Sequence, residues 1–190
     1  MTLPEEREVV SSMNTRRLVT NAALVALYVV LSLFVANLGQ IKLTFESFAV
    51  LVSALMFGWA DGLAVGALGG FLNQLLTYGL SVTTLMWMLP NMARGVVVGL
   101  YAKKHNFELS VKQTAFIVLL SSLMVTTLNT LALWVDGLIY NYPVAFTAAT
   151  IALRYVNSVV MAVIYTVVTP KTVQILKRAN MWRKGGEKTL

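Results

Sequence analysis

The 190-residue chain has no cysteine, a single histidine (His105), four prolines, two aspartates and only 12% charged residues. Without cysteine there is no disulfide framework, no thiolate nucleophile and no zinc or haem site built on Cys/His spacing. No cofactor is expected. The two aspartates, Asp61 and Asp136, fall at opposite ends of the apolar runs described below, so they cannot form a carboxylate dyad. No glycine-rich loop with a following Lys and Ser/Thr is present to grip phosphates, so the chain does not hydrolyse ATP by itself. Nothing else assembles a nucleophile with its base, and no catalytic residue is assigned. The shortage of charge says more. A soluble domain carries roughly 25% charged residues, and half that fraction leaves too little polar surface to cover a water-soluble body. With 57% hydrophobic residues and a mean hydropathy of +0.72, the sequence is that of an integral membrane protein.

Six apolar runs follow one another. They are Leu18–Leu38, Phe45–Ala60, Gly62–Tyr78, Val82–Tyr101, Thr114–Val135 and Val144–Val168. A spanning helix needs about 20 predominantly apolar residues, and breakers stand between these runs: Asn37-Leu38-Gly39, Asp61-Gly62 and Asn141-Tyr142-Pro143. The first run is too long for a signal peptide and leads straight into the next. The expected fold is an all-α, six-transmembrane-helix bundle forming one membrane domain. A tail of residues 1–17 precedes the bundle at 18–168, and a basic tail follows at 169–190.

Charge sets the orientation. With six spans and both termini on one side, 12 of the 15 basic residues lie on that side. Lys42 alone lies opposite, and Arg94 and Arg154 fall inside runs. The Lys/Arg excess marks the cytoplasmic side, so both termini are expected in the cytoplasm of a multi-pass protein of a bacterial cell membrane. The net charge of +7 reflects this bordering of helix ends. It is not a basic face interleaved with aromatic platforms, and no nucleic-acid partner is expected.

Lipid gives helices no hydrophobic reason to associate, so small residues that let backbones approach carry the packing. Gly62, Gly66 and Gly70 form such a ridge, read as internal packing. Ala22 and Ala26 on the first run, and Gly95 and Gly99 on the fourth, leave two readings open: a contact within the bundle, or a face for a partner helix.

Polar residues inside the runs gather in the outer half. Thr84, Trp87, Asn91 and Arg94 share one helical face, as do Thr147, Thr150, Arg154 and Asn157; Ser122, Thr126 and Asn129 line up on the fifth run, and Asn73 and Gln74 close the third. Ionisable groups within a membrane are costly and face an interior or a water-filled cavity. The expected site is a cavity open to the outside, lined by Asn73, Gln74, Trp87, Asn91, Arg94, Asn129, Arg154 and Asn157. A guanidinium is always charged and offers a planar fork, so the ligand is small, partly polar and anionic. The alternative for each arginine is structural pairing with a carbonyl, Glu46 or Asp136. The stretches Asn37–Glu46 and Asp136–Pro143 are positioned to act as lids, with Gly39 as a hinge.

A solitary secondary carrier of a small organic anion is the competing reading. The sequence shows neither the internal repeat nor the pair of broken helices on which alternating access is built. A pocket without an engine points to a subunit that binds substrate while partners supply the energy.

The residues that carry a family resemblance are Thr44-Phe45-Glu46-Ser47-Phe48-Ala49-Val50-Leu51, then Phe57-Gly58-Trp59-Ala60-Asp61-Gly62 with the glycine ridge, then Phe71 to Leu80, Thr83 to Pro90, and Arg94-Gly95. Across nearly its whole length the chain resembles the substrate-binding S components of energy-coupling factor (ECF) vitamin transporters. The resemblance implies capture of a water-soluble vitamin outside and its release inside by toppling of the bundle. It implies as partners a membrane-embedded coupling subunit and two cytoplasmic ATPase subunits. Ala22-x-x-x-Ala26 matches the family's first-helix motif for docking on the coupling subunit. The segment from Asn73 to Pro90 and the two arginines resemble a pantothenate-type member most; folate, a pyridoxine- or pyrimidine-type vitamin and cobalamin compete.

Overall fold

The computed structural model describes residues 4–34, 36–38, 41–43, 45–141 and 148–178, with side chains at 15–34, 45–141 and 149–178. In chain order the elements are α1 (Pro4–Leu33), β1 (Ala36–Leu38), β2 (Ile41–Leu43), α2 (Ser47–Phe57), α3 (Trp59–Thr77), α4 (Thr84–Lys104), α5 (Val111–Tyr140) and α6 (Ala148–Leu176). The six helices arrive in the expected order. One departure lies in the first run: α1 stops at Leu33, and the next residues form a small antiparallel hairpin pairing Ala36 with Leu43 and Leu38 with Ile41. Apolar composition alone does not separate the end of a helix from a short strand. This hairpin occupies the stretch expected to act as a lid; its proposed hinge Gly39, together with Tyr142, Pro143 and Thr147, lies outside the described residues.

The helix α2 is the centre of the molecule. Ten of its eleven residues are buried, and it packs against α1, α3, α4 and α6. It is only about 16 Å long at 1.5 Å per residue, roughly half the hydrocarbon thickness. The break between α2 and α3 falls at Gly58, not at Asp61-Gly62. Gly58 has φ +99° and ψ −169°, a conformation that side-chain-bearing residues avoid. Asp61 needs no loop because it sits in the first turn of α3, where a carboxylate suits the helix's positive end.

The helices α3 and α4 form the closest pair. A Cβ built on Gly95 would lie 2.2 Å from the Gly62 carbonyl carbon, and one on Gly66 would lie 2.7 Å from the Asn91 carbonyl oxygen. The glycine ridge is therefore internal packing, and Gly95 belongs to the same seam. Past a short turn, α5 begins with a capping box in which Ser110 and Gln113 satisfy each other's backbone N–H groups.

Among the described residues, three helices are long and apolar enough to cross a membrane: Thr15–Leu33 of α1, Val111–Tyr140 of α5 and Ala149–Leu176 of α6. Around an apolar core, large apolar side chains are exposed and several polar ones are buried. Leu85, Phe116, Leu131, Trp134 and Val163 are exposed, whereas Ser53, Asn91, Arg94, Ser121 and Thr169 are buried. Lipid as the outer solvent accounts for both.

Candidate binding site

Midway along α4, Asn91 and Arg94 stand on one face and enter the bundle. Asn91 Nδ2 donates to the Tyr28 hydroxyl at 2.6 Å, and Asn91 Oδ1 accepts from Ser47 Oγ at 2.9 Å. One side chain thus ties α4 to α1 and α2. Tyr28 can reach this point because residue 69 of α3 is glycine: a Cβ there would lie 2.5 Å from the Tyr28 ring carbon Cγ.

Arg94 is 3% exposed. Its Nη2 donates to Ser122 Oγ at 3.2 Å, and its Cζ lies 5.8 Å from the centroid of the Tyr165 ring. Among the described residues, Nε and Nη1 have no hydrogen-bond partner. A buried guanidinium with unpaired donors costs several kcal/mol unless something supplies acceptors. The site therefore offers two guanidinium nitrogens with unused N–H groups beside the hydroxyls of Tyr28, Ser47 and Tyr165 and the Asn91 amide. That set can take a small ligand carrying a carboxylate, carbonyl or other acceptor.

The other expected residues stand elsewhere along the helices. Arg154 is half-buried, and its Nη1 donates to Thr130 Oγ1 at 3.3 Å. Ser122 and Thr130 are separated by about 12 Å along α5 at helical rise, so the two guanidinium groups are held at different levels. Neither is bonded to Asp136, which accepts from Thr83 Oγ1 at the start of α4. Asn129, Asn157 and Trp87 are half-buried and Gln74 is buried; Asn73 accepts from Thr77 Oγ1 at 3.1 Å. The structure thus brings Asn91 and Arg94 into one network and places Arg154 and Thr130 about two turns away.

Sequence reasoning passed over Tyr28, Ser47 and Tyr165. Tyr165 was within reach: extending the stripe of Arg154 and Asn157 by helical steps through Ser158 and Met161 arrives at it, and Ser158, Met161 and Tyr165 are all buried. Tyr28 carries no comparable signal, because its role depends on the absence of a side chain at Gly69, on another helix.

A second polar cluster joins α1 to the α2–α3 junction. Arg17 forms an ion pair with Asp61, its Nε donating to Oδ1 at 2.8 Å, and its Nη2 donates to the Phe57 carbonyl at 3.3 Å. Asn21 donates to Asp61 and accepts from Ser53 Oγ at 2.9 Å. Asp61 and Asp136 therefore sit at opposite ends of the bundle, each with its own partners. Beside Arg17 and Asp61 runs a groove of about 480 Å³ between α1 and α3, lined by Asn21, Ala22, Val25, Ala64 and Leu68 among others. Ala22 faces this groove, and Ala26 is exposed one turn further on. His105 is half-buried, with Nδ1 2.9 Å from the Tyr101 carbonyl oxygen. No cluster of His, Cys, Asp or Glu suited to a metal ion occurs among the described residues.

No curated protein matches the chain. Residues 16–175 match the family described as "ECF transporter, substrate-specific component". Its members are substrate-binding subunits, not enzymes, and they work with the membrane and ATPase modules of an ECF importer on a small-molecule substrate. The matched region includes every expected ligand-binding residue, the two alanines of α1 and the buried network around Arg94. Because the match runs from α1 almost to the end of α6, the chain belongs to the ECF transporter substrate-specific component family.

Proposed function

We propose that this chain captures a water-soluble vitamin from outside the cell, with Arg94 as the principal anchor and pantothenate as the favoured ligand. The observation that carries this reading is the buried Arg94 guanidinium with two unpartnered nitrogens, since intramembrane charge of this kind is functional by default. Asn91, Tyr28 and Ser47 form a hydrogen-bonded wall suited to the ligand's amide and hydroxyls. Arg154, Asn129, Asn157, Trp87, Asn73 and Gln74 line the approach from the outer side. The chain crosses the bacterial cell membrane six times with both termini inside, a topology supported by the distribution of basic residues. Release follows toppling of the bundle on a coupling subunit that docks on Ala22 and Ala26, two cytoplasmic ATPases supplying the energy.

Equilibrium binding of pantothenate to the detergent-purified chain tests the anchor. Arg94→Gln should weaken binding by about tenfold or more, the usual scale for a buried charged hydrogen bond. Arg154→Gln should weaken it less. Equal affinity in both variants and the wild type ends the assignment.

A further inference from the structure

We infer that Ser158 on α6 is a second anchor of this site: it hydrogen-bonds the far hydroxyl of a ligand whose carboxylate is held by Arg94. This rests on the reading of the Arg94 network as the ligand site. A hydroxyl inside a helix can turn back to the carbonyl three or four residues earlier. On α5 and α6, Thr114, Ser121, Thr127, Thr130, Thr166 and Thr172 all do so. Ser158 does not. It is 6% exposed, and its Oγ has no hydrogen-bond partner among the described residues. A buried hydroxyl without a partner is costly, and its own helix could have supplied one. Ser158 therefore shares with Arg94 a buried polar group that the bundle leaves unused.

Helix geometry relates the two residues. The Arg94 guanidinium lies against the Tyr165 ring, 5.8 Å from its centroid. Ser158 precedes Tyr165 by seven residues, so the two share a face of α6, and helical rise sets them about 10 Å apart along it. Arg154 stands one turn further in the same direction, on the side of the proposed approach. Pantothenate fits this span. Eight bonds join its carboxylate carbon to its terminal hydroxyl oxygen, about 9 Å when extended, since three backbone bonds cover about 3.3–3.6 Å. Met161 and Ala162, buried between Ser158 and Tyr165, give an apolar wall for the ligand's methyl and methylene groups. The amide and the inner hydroxyl are left to Asn91, Tyr28 and Ser47. Thr169 supplies a control: its Oγ1 is also buried and unpartnered among the described residues, but it lies one turn past Tyr165 in the opposite direction, where a ligand extending from Arg94 toward Arg154 does not reach.

The test is equilibrium binding of pantothenate, and of its analogue lacking the terminal hydroxyl, to the full chain in detergent, for the wild type, Ser158→Ala, Thr169→Val and Arg94→Gln. Ser158→Ala should weaken pantothenate about three- to tenfold, the scale of one hydrogen bond. It should leave the deoxy analogue unchanged, because the loss is a property of the pair of hydroxyls. Without ligand the variant should melt no lower than the wild type, since it gives up a group that has no partner. Thr169→Val should bind both compounds as the wild type does. Equal loss on both compounds in Ser158→Ala would mean that the hydroxyl acts through the fold, and the inference falls. Wild-type affinity in Ser158→Ala, or a hydroxyl-dependent loss in Thr169→Val, also overturns it, while weak binding by Arg94→Gln keeps the Arg94 site standing. If Arg94→Gln binds as tightly as the wild type, or the wild type does not bind pantothenate, the proposed site or its ligand is wrong and this inference goes with it.

Discussion

Replacing Gly69 by alanine should damage the network of Tyr28, Asn91 and Ser47 from a position that has no side chain to contribute to it. The added Cβ would lie 2.5 Å from Tyr28 Cγ and 2.8 and 2.9 Å from the two Cδ carbons. Non-bonded carbons rest at about 3.5–4.0 Å, so the ring must retreat by about 1 Å or more. The hydrogen bond from Asn91 Nδ2 to the Tyr28 hydroxyl, now 2.6 Å, then stretches to about 3.6 Å, which is no longer a bond. Overpacking costs about 1–3 kcal/mol, and an orphaned buried amide adds about 1–3 kcal/mol. For a chain of this size 1 kcal/mol moves the melting temperature by about 2–4 °C, so the detergent-solubilised variant should melt at least about 4 °C lower. The Tyr28→Ala background is the control. With the ring gone the clash is gone, and Gly69→Ala should become neutral or stabilising, since alanine is the better helix former by about 1 kcal/mol. Equal melting temperatures for Gly69→Ala and wild type, or the same loss in both backgrounds, would refute the steric argument.

Three further outcomes follow from the packing. Gly95→Ala directs its Cβ at the Gly62 backbone, which cannot yield, so it should melt well below Gly70→Ala, whose Cβ meets Met88 atoms at an ordinary 3.5 Å or more; similar melting of the two would show that the α3–α4 seam can open freely. At the α1–α3 clamp, Asp61→Ala should cost about 2–3 kcal/mol because it strands Arg17 and Asn21 together, whereas Arg17→Gln should cost about 1 kcal/mol or less, since that side chain is 44% exposed and solvent screens the pair. Thermal unfolding of the two variants gives the order. Ala22→Leu with Ala26→Leu should abolish co-purification with the coupling subunit and ATPases while leaving pantothenate affinity within about twofold, the steric block acting only on helix approach. Loss of both would mean the alanines support the fold instead.

What the sequence revealed and what it concealed divide along physical lines. Runs of apolar residues are one-dimensional, so the number and order of the helices were legible, as was the seam of Gly62 and Gly66. Asp61 misled because aspartate between apolar runs has the composition of a turn. The residue that bends the chain is Gly58, three positions earlier, and Asp61 is retained inside a helix by Arg17, 44 residues away. The pairing of Asn91 with Arg94 on one face was legible from a spacing of three. The split between Arg94 and Arg154 was not, because it depends on which α5 hydroxyl each guanidinium finds, Ser122 or Thr130. Tyr28 was hidden for the same reason: its placement is a property of three helices together.

The cost of Arg94 separates structural from functional retention of a buried charge. If the arginine served as glue, its donors would be spent on the bundle; among the described residues only Nη2 is, through Ser122. Replacing incompletely satisfied buried ions by apolar residues of similar volume is often neutral or stabilising by about 1–4 kcal/mol. Arg94→Met without ligand should therefore melt no lower than the wild type. In the wild type, pantothenate at about 100 times its Kd should add about 2.7 kcal/mol by mass action, seen as a rise in melting temperature. Arg94→Met should show no such rise. A ligand-free variant that melts as low as Gly69→Ala would mean that the guanidinium holds the helices together, and the ligand's anchor would have to be sought at Arg154.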